Sequence, residues 1–242
     1  MRIEIPTATV VDPAGVTAYP FIESATSLFI LGGGALSSVK NRAGGPDGVV
    51  SGSILYQPSY ARFSGSSQTN YIQTSQVDIG LADVAQTLIS VSRMPNPASG
   101  DAVPGRSLFS SYNGTTNFGI SLVNTGGLMA HGDGVDAAYF EDGGAYQEAF
   151  FRFKAVVTAQ DNMKLVEVVG GKLVISEDMG IESAVNGDRP LRIGGDYFAG
   201  GYDDTCDIAM VSRHAASLTL EQLQYIYDYV KAYYAARGER VL

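Results

Sequence analysis

Carboxylate pairs are the first residues whose spacing bears on chemistry. Glycoside hydrolysis needs two of them, about 5 Å apart in a retaining enzyme and wider apart in an inverting one. On an extended strand, same-face carboxylates fall at i, i+2 and i+4. Glu141-Asp142 and Asp203-Asp204 are adjacent instead and point to opposite faces if extended, so no catalytic residue is assigned. Asp203, Asp204 and Asp207 nevertheless crowd one short segment, and Asp133 and Asp136 share a glycine-rich loop. Oxygen-rich sets of this kind suit calcium, the one cofactor these residues admit. The same aspartates also suit turns, where they cap backbone N–H groups. His131 and His214 lack metal-ligand spacing, and Cys206, the only cysteine, permits neither a thiolate site nor an intrachain disulfide. Cys206 reads as a small buried apolar residue. No glycine-rich loop leads into Lys-Ser or Lys-Thr, which leaves P-loop nucleotide binding unsupported.

Aromatic side chains are the second candidate set. Sugars stack their apolar faces on rings while polar neighbours take the hydroxyls. Tyr139, Phe140 and Tyr146 sit in one Gly/Asp-rich stretch, and Tyr197, Phe198 and Tyr202 in another. Such loops are where a β-sandwich presents ligands, so these six are the candidate carbohydrate contacts. Near the end of the chain Tyr225, Tyr229 and Tyr233 recur every four residues, a row of their own on a helix. With Ile3 and Ile5 of the N-terminal segment they are the candidate contacts to another subunit or another part of the molecule.

These residues must be positioned by elements that the rest of the sequence describes. The chain has 242 residues, 29 of them glycine, with 45% hydrophobic and 17% charged residues. That composition fits one large all-β domain of short strands and tight turns. Residues 1–24, with Pro6, Pro13 and Pro20, read as an extended arm, and residues 25–242 as a sandwich. Phe151, Phe153, Ala155 and Val157 alternate along a strand and share its core face. Lys164 to Val169 and Lys172 to Ile175 flank Gly170-Gly171, the pattern of a hairpin with a two-residue turn. The period then changes: Leu220, Leu223, Ile226, Tyr227, Val230 and Tyr234 fall on one stripe, predicting an amphipathic helix over 219–237. Thr219 and Gln222 make a capping box, and Gly238 is a natural stop.

The net charge of −9 opposes a nucleic-acid partner and an anionic membrane surface alike. Met1 to Pro6 lacks the apolar core of a secretory leader, so synthesis in a cytoplasm without a signal peptide is expected.

Taken in order, the segments resemble the concanavalin A-like lectin/glucanase superfamily in its laminin-G-like, jelly-roll branch. The residues that carry the resemblance are Phe63-Ser64-Gly65, Asn70-Tyr71-Ile72, Ile89-Ser90-Val91-Ser92-Arg93 and Phe153-Lys154-Ala155-Val156-Val157. They continue with Glu167 to Leu173 around the two glycines, Leu191-Arg192-Ile193-Gly194-Gly195, Cys206 to Val211, and Ser217-Leu218-Thr219-Leu220-Glu221. The likeness covers residues 27–235 and implies a two-sheet antiparallel sandwich closed by a short helix. Asp207 matches that branch's aspartate in "Ile–Asp–Glu–Val". The branch's tryptophan is missing, and Ser66, Ser67, Gln68 and Asn70 stand where it carries acids, which weakens an inherited calcium site. The glucanases' Glu-x-Asp-x-x-Glu run is missing too. The resemblance therefore implies a binding module rather than an enzyme: a phage or prophage virion component (tail fibre, baseplate or capsid surface) at a virion or extracellular surface. Its partners would be host glycan or other virion subunits, in a homo-oligomer. A cellular carbohydrate-binding module or adhesin fragment, and a glycoside hydrolase with an unfamiliar site, are the alternatives.

Overall fold

Short apolar runs punctuated by glycine form fifteen strands among the described residues of this computed structural model. Those residues are 19–77, 85–96, 105–113, 119–124, 128–131, 138–140, 148–159, 162–177, 189–198 and 202–242. In chain order they begin with β1 (Ala25–Ile30), a four-residue helix α1 (Ala35–Ser38), β2 (Val49–Ser51), β3 (Leu55–Tyr56), β4 (Ala61–Phe63), β5 (Tyr71–Val77) and β6 (Gln86–Asn96). There follow β7 (Arg106–Ser110), β8 (Ser121–Asn124), β9 (Leu128–His131), β10 (Ala138–Phe140), β11 (Arg152–Ala159) and β12 (Asn162–Val169). The chain closes with β13 (Lys172–Ile175), β14 (Pro190–Ile193), β15 (Thr205–His214) and α2 (Leu220–Ala235).

The strands pair antiparallel in two sheets. One has the order β13-β12-β11-β6-β15-β4-β3, with β1 alongside the other half of β15, and the second has the order β10-β9-β8-β7-β14-β5-β2. The all-β sandwich with a C-terminal amphipathic helix is therefore the architecture. The two-glycine hairpin forms as expected: Val169 pairs with Lys172, and Gly170 and Gly171 both take positive φ, as a type I′ turn requires. Gly194 also has positive φ, and a side chain there would collide with the ring of Phe63.

Two cores result, one on each face of the first sheet. Between the sheets pack Phe29, Phe63, Leu88, Phe109, Leu122, Val156 and Ile193. On the outer face, Ile89, Val91, Phe153, Ala155, Val157 and Met210 pack under Leu223, Ile226, Tyr227, Val230 and Tyr234 of α2. The alternating face of β11 is buried as expected, but beneath the helix. Its opposite face, Lys154, Val156 and Thr158, looks toward the second sheet and is buried too. The capping box at Thr219 and Gln222 is present, and Tyr234 donates its hydroxyl to the Ala209 carbonyl at 2.6 Å, fastening α2 to β15.

Of the N-terminal arm, residues 1–18, including Ile3 and Ile5, lie outside the described residues. The end of the arm lies on the molecule's own helix. Tyr19 is buried edge-on against Tyr229, and Phe21 packs on Tyr225. Behind Tyr19, its hydroxyl meets Ser212 Oγ at 2.9 Å, and His214 Nδ1 meets Ser24 Oγ at 2.8 Å. Burial disfavours the charged imidazole and pulls the His214 pKa down from near 6.5 to about 4. The unfolded chain thus binds a proton that the native state refuses, so the stabilisation is complete above the unfolded value and is lost as pH falls through the folded one. Urea unfolding should show a loss on the order of 3 kcal/mol between about pH 6.5 and about 4. His214→Gln should flatten that part of the curve; an unchanged slope would show that His214 does not carry it.

Candidate functional site

Each of the aspartates that the sequence grouped for calcium has hydrogen-bond partners of its own. Asp203 accepts from the Ser67 amide at 2.6 Å, and Asp204 accepts from the Gly105 amide at 2.7 Å. Asp207 is fully buried on β15, where it accepts from Arg62 Nε at 2.6 Å and Nη2 at 2.9 Å, and from Arg93 Nε at 2.9 Å. Two arginines thus take the charge of Asp207, and the other two carboxylates hold backbone. Among the described residues no three His, Cys, Asp or Glu side chains converge as a metal site would require; Asp133 and Asp136 lie outside them.

What gathers these loops is a cation of the chain's own. Arg106 on β7 is completely buried and fans its guanidinium over main-chain carbonyls: Gly194 at 2.7 Å, Asn70 at 2.8 Å, and Gly65. Asp196 lies beside it, accepting from Ser107 Oγ at 2.6 Å, Ser67 Oγ at 3.1 Å and the Phe198 amide at 3.1 Å. Desolvation pushes the Asp196 carboxyl above its ordinary pKa, against those hydrogen bonds. Sequence reasoning missed Arg106 and Asp196. The available signal was one arginine opening the otherwise uncharged run Arg106-Ser107-Leu108-Phe109.

The candidate carbohydrate contacts divide. Tyr197, Phe198 and Tyr202 do come together, but each is engaged within the loop cluster. Tyr197 and Tyr71 clamp the Arg192 guanidinium, at 3.5 and 3.8 Å from the ring centroids, and the Tyr197 hydroxyl donates to the Pro190 carbonyl. Phe198 packs between Tyr112 and Tyr202, and Tyr202 is buried. Tyr139 and Phe140 lie in β10 opposite Met129 and Leu128 of β9, with side chains outside the described residues, as is all of Tyr146.

A concavity forms elsewhere, at the C-terminal half of α2. About 220 Å³ in volume, it lies between the Leu31–Gly33 turn, the start of α1, Ser59 and the helix. Arg42 and Arg237 both line it, together with Tyr229, Tyr233, Ser37 and Ser59. Arg237 stacks 3.5 Å from the Tyr233 centroid and donates to the Tyr233 carbonyl, so its guanidinium is held in place. Arg42 Nε is buried and makes no hydrogen bond. Ser59 donates to Glu239 Oε1 at 2.6 Å at the margin. Of the tyrosine row, Tyr233 is buried, stacked on Tyr229, and Tyr225 is 60% exposed. The row was legible in the sequence. The two arginines were not, because only the packing of α2 on the β1–α1 turn brings them together.

No family model matches the sequence, and no curated protein matches it. Solved structures match its fold. The receptor-binding domain of botulinum neurotoxin D aligns with a TM-score of 0.64 at 11% identity, over 86% of this chain and 53% of that one. The binding domain of botulinum neurotoxin DC in complex with SialylT aligns at 0.61 and 12%, over 86% and 52%. Trypanosoma rangeli sialidase in complex with sialic acid aligns at 0.58 and 15%, over 90% and 35%. The chain thus spans about half the length of the neurotoxin domains and about a third of the sialidase. At these identities the likeness shows a shared β-sandwich fold.

Arg106→Lys keeps the charge but loses the planar fork, leaving buried carbonyls unsatisfied. A destabilisation of about 3 kcal/mol or more is expected in thermal or urea unfolding. Added calcium should not restore it; restoration by calcium would show that the loops can use a metal in the guanidinium's place.

Proposed function

We propose that this chain is a non-catalytic carbohydrate-binding β-sandwich module of the concanavalin A-like kind, holding one sugar ring at the Arg42–Arg237 cavity. The observation that carries this reading is the convergence of two guanidiniums, tyrosine rings and serine hydroxyls on one concavity, in a chain whose net charge is −9. A volume of about 220 Å³ lies below the roughly 300–1,000 Å³ of drug-sized ligand sites, which suits a terminal ring rather than an extended chain. Guanidiniums pair bidentately with carboxylates, so the site favours an acidic sugar, while Tyr229, Ser37 and Ser59 line the same concavity with polar groups. Support also comes from the structural neighbours, which include a receptor-binding domain, a binding domain in complex with SialylT and a sialidase in complex with sialic acid. Within this reading the module belongs to a phage or prophage virion, in host attachment or assembly, with exposed Tyr225 beside Phe21 available to a second subunit.

A glycan array with and without calcium, followed by calorimetry on the best ligand, tests the reading. Arg42→Ala and Arg237→Ala should each weaken binding tenfold or more while the far-ultraviolet spectrum stays unchanged. Absence of binding to any glycan would overturn it in favour of a structural role. Release of a cleaved sugar would overturn the word non-catalytic. Light scattering that finds a monomer at high concentration would remove the virion-assembly element.

A further inference from the structure

The space between the sheets, where a sandwich is expected to be apolar, holds a set of reactive groups at the end nearest β8 and β11. Lys154 of β11, Asn124 of β8 and Glu148, just before β11, are 1%, 5% and 6% exposed. Lys154 Nζ lies 2.8 Å from each carboxylate oxygen of Glu148. The Asn124 side-chain amide donates to Glu148 Oε2 at 2.9 Å. An amine, a primary amide and the carboxylate between them are therefore buried together, with both nitrogens on one oxygen.

We propose that Lys154 and Asn124 become joined by an intramolecular isopeptide bond, formed by the chain itself with Glu148 as the proton carrier. Nζ is the nucleophile, and the Asn124 amide carbon is the electrophile. Glu148 takes a proton from the lysine ammonium, Nζ attacks the Asn124 Cγ, and the Cγ–Nδ2 bond breaks. The same carboxylate returns the proton to Nδ2 as it departs, and the second proton lost by Nζ leaves with the ammonia as ammonium. The lysine ammonium and the asparagine amide are thus converted to a secondary amide and one ammonium ion, with no oxidant, reductant or cofactor.

Four features of the site suit this step. A base must sit within about 2.6–3.2 Å of the proton it removes, and Glu148 meets that for both the attacking and the leaving nitrogen. The carboxylate is fixed rather than searching: its Oε2 accepts from the Met94 amide at 2.8 Å, and its own amide donates to the Met94 carbonyl at 2.8 Å, so β6 holds it from both sides. Held geometry of this kind substitutes for the entropy of bringing two reactants together. After the reaction Glu148 is not left as a lone buried charge, because Arg152 Nε lies 3.5 Å from Oε1 and the Met94 amide remains. Ser90, the register partner of Lys154 on β6, carries a buried hydroxyl with no hydrogen-bond partner, a donor on the same face as the amine. The bond would tie the first sheet to the second, whatever the cavity at α2 binds.

Intact-mass spectrometry of the denatured full chain decides the matter. The expected mass is the sequence mass less one ammonia, with a fragment in which the Lys154 peptide is bonded to the Asn124 peptide. Glu148→Gln, which keeps the shape but removes the proton carrier, should return the chain to its unmodified mass, as should Lys154→Arg. A wild-type chain at its full sequence mass overturns the proposal, and that reading does not depend on any variant folding. An ammonia loss that persists in Lys154→Arg marks a succinimide at Asn124 and overturns it equally.

Discussion

Strands β6, β11 and β15 carry apolar side chains on both faces, and this double burial dictates what must surround them. A sheet with one wet face needs one cover, whereas this one needs two. The second sheet covers Leu88, Val156 and Val211, and α2 covers Ile89, Phe153 and Met210. The helix is thus part of the core, fastened by its capping box, its Leu223-Ile226-Val230 stripe and the Tyr234 hydroxyl on β15. Burying the outer face also buries whatever polar group lies there, which is why His214 is held neutral behind Tyr19.

Among the described residues, charge inside the sandwich is met by arginine and lysine. Arg106 gathers carbonyls from two loops, Arg62 and Arg93 share Asp207, and Lys154 meets Glu148. Arg106, Asp207, Lys154 and Glu148 are buried charges, tolerable only with their partners in place, so each ties the position of a loop or strand to another element. Guanidinium is suited to this use because its planar donors point in fixed directions, unlike the adaptable coordination sphere of calcium. A loop cluster held in this way keeps Tyr197, Phe198 and Tyr202 occupied with Arg192, Tyr112 and one another.

The proposed ligand cavity arises where these constraints meet the end of the helix. Gly32 and Gly33 turn the chain sharply after β1, α1 follows, and the last turns of α2 close over both. Tyr233 and Arg237, one turn apart, then face the turn that carries Arg42. The exposed remainder of the tyrosine row, at Tyr225, continues along the same helix toward the N-terminal arm.

Local rules were enough for much of this. The Gly170-Gly171 turn, the alternation of β11 and the Thr219–Gln222 cap each depend on neighbours within a few residues, and each was readable from the sequence. So was the sandwich itself, since strand-length apolar runs with glycine punctuation have few other ways to bury their faces. The side of the sheet on which each run would lie was not readable, because Phe153 and Val156 are both apolar and only the docking of α2 separates their environments. Nor could the sequence show that Arg42 would meet Arg237, or that Asn124, Glu148 and Lys154 would meet inside the sandwich. Those groups come from different elements, and the chain alone records their identity but not their distance. Packing decides that distance, and chemistry between side chains begins only when it falls to a few ångströms.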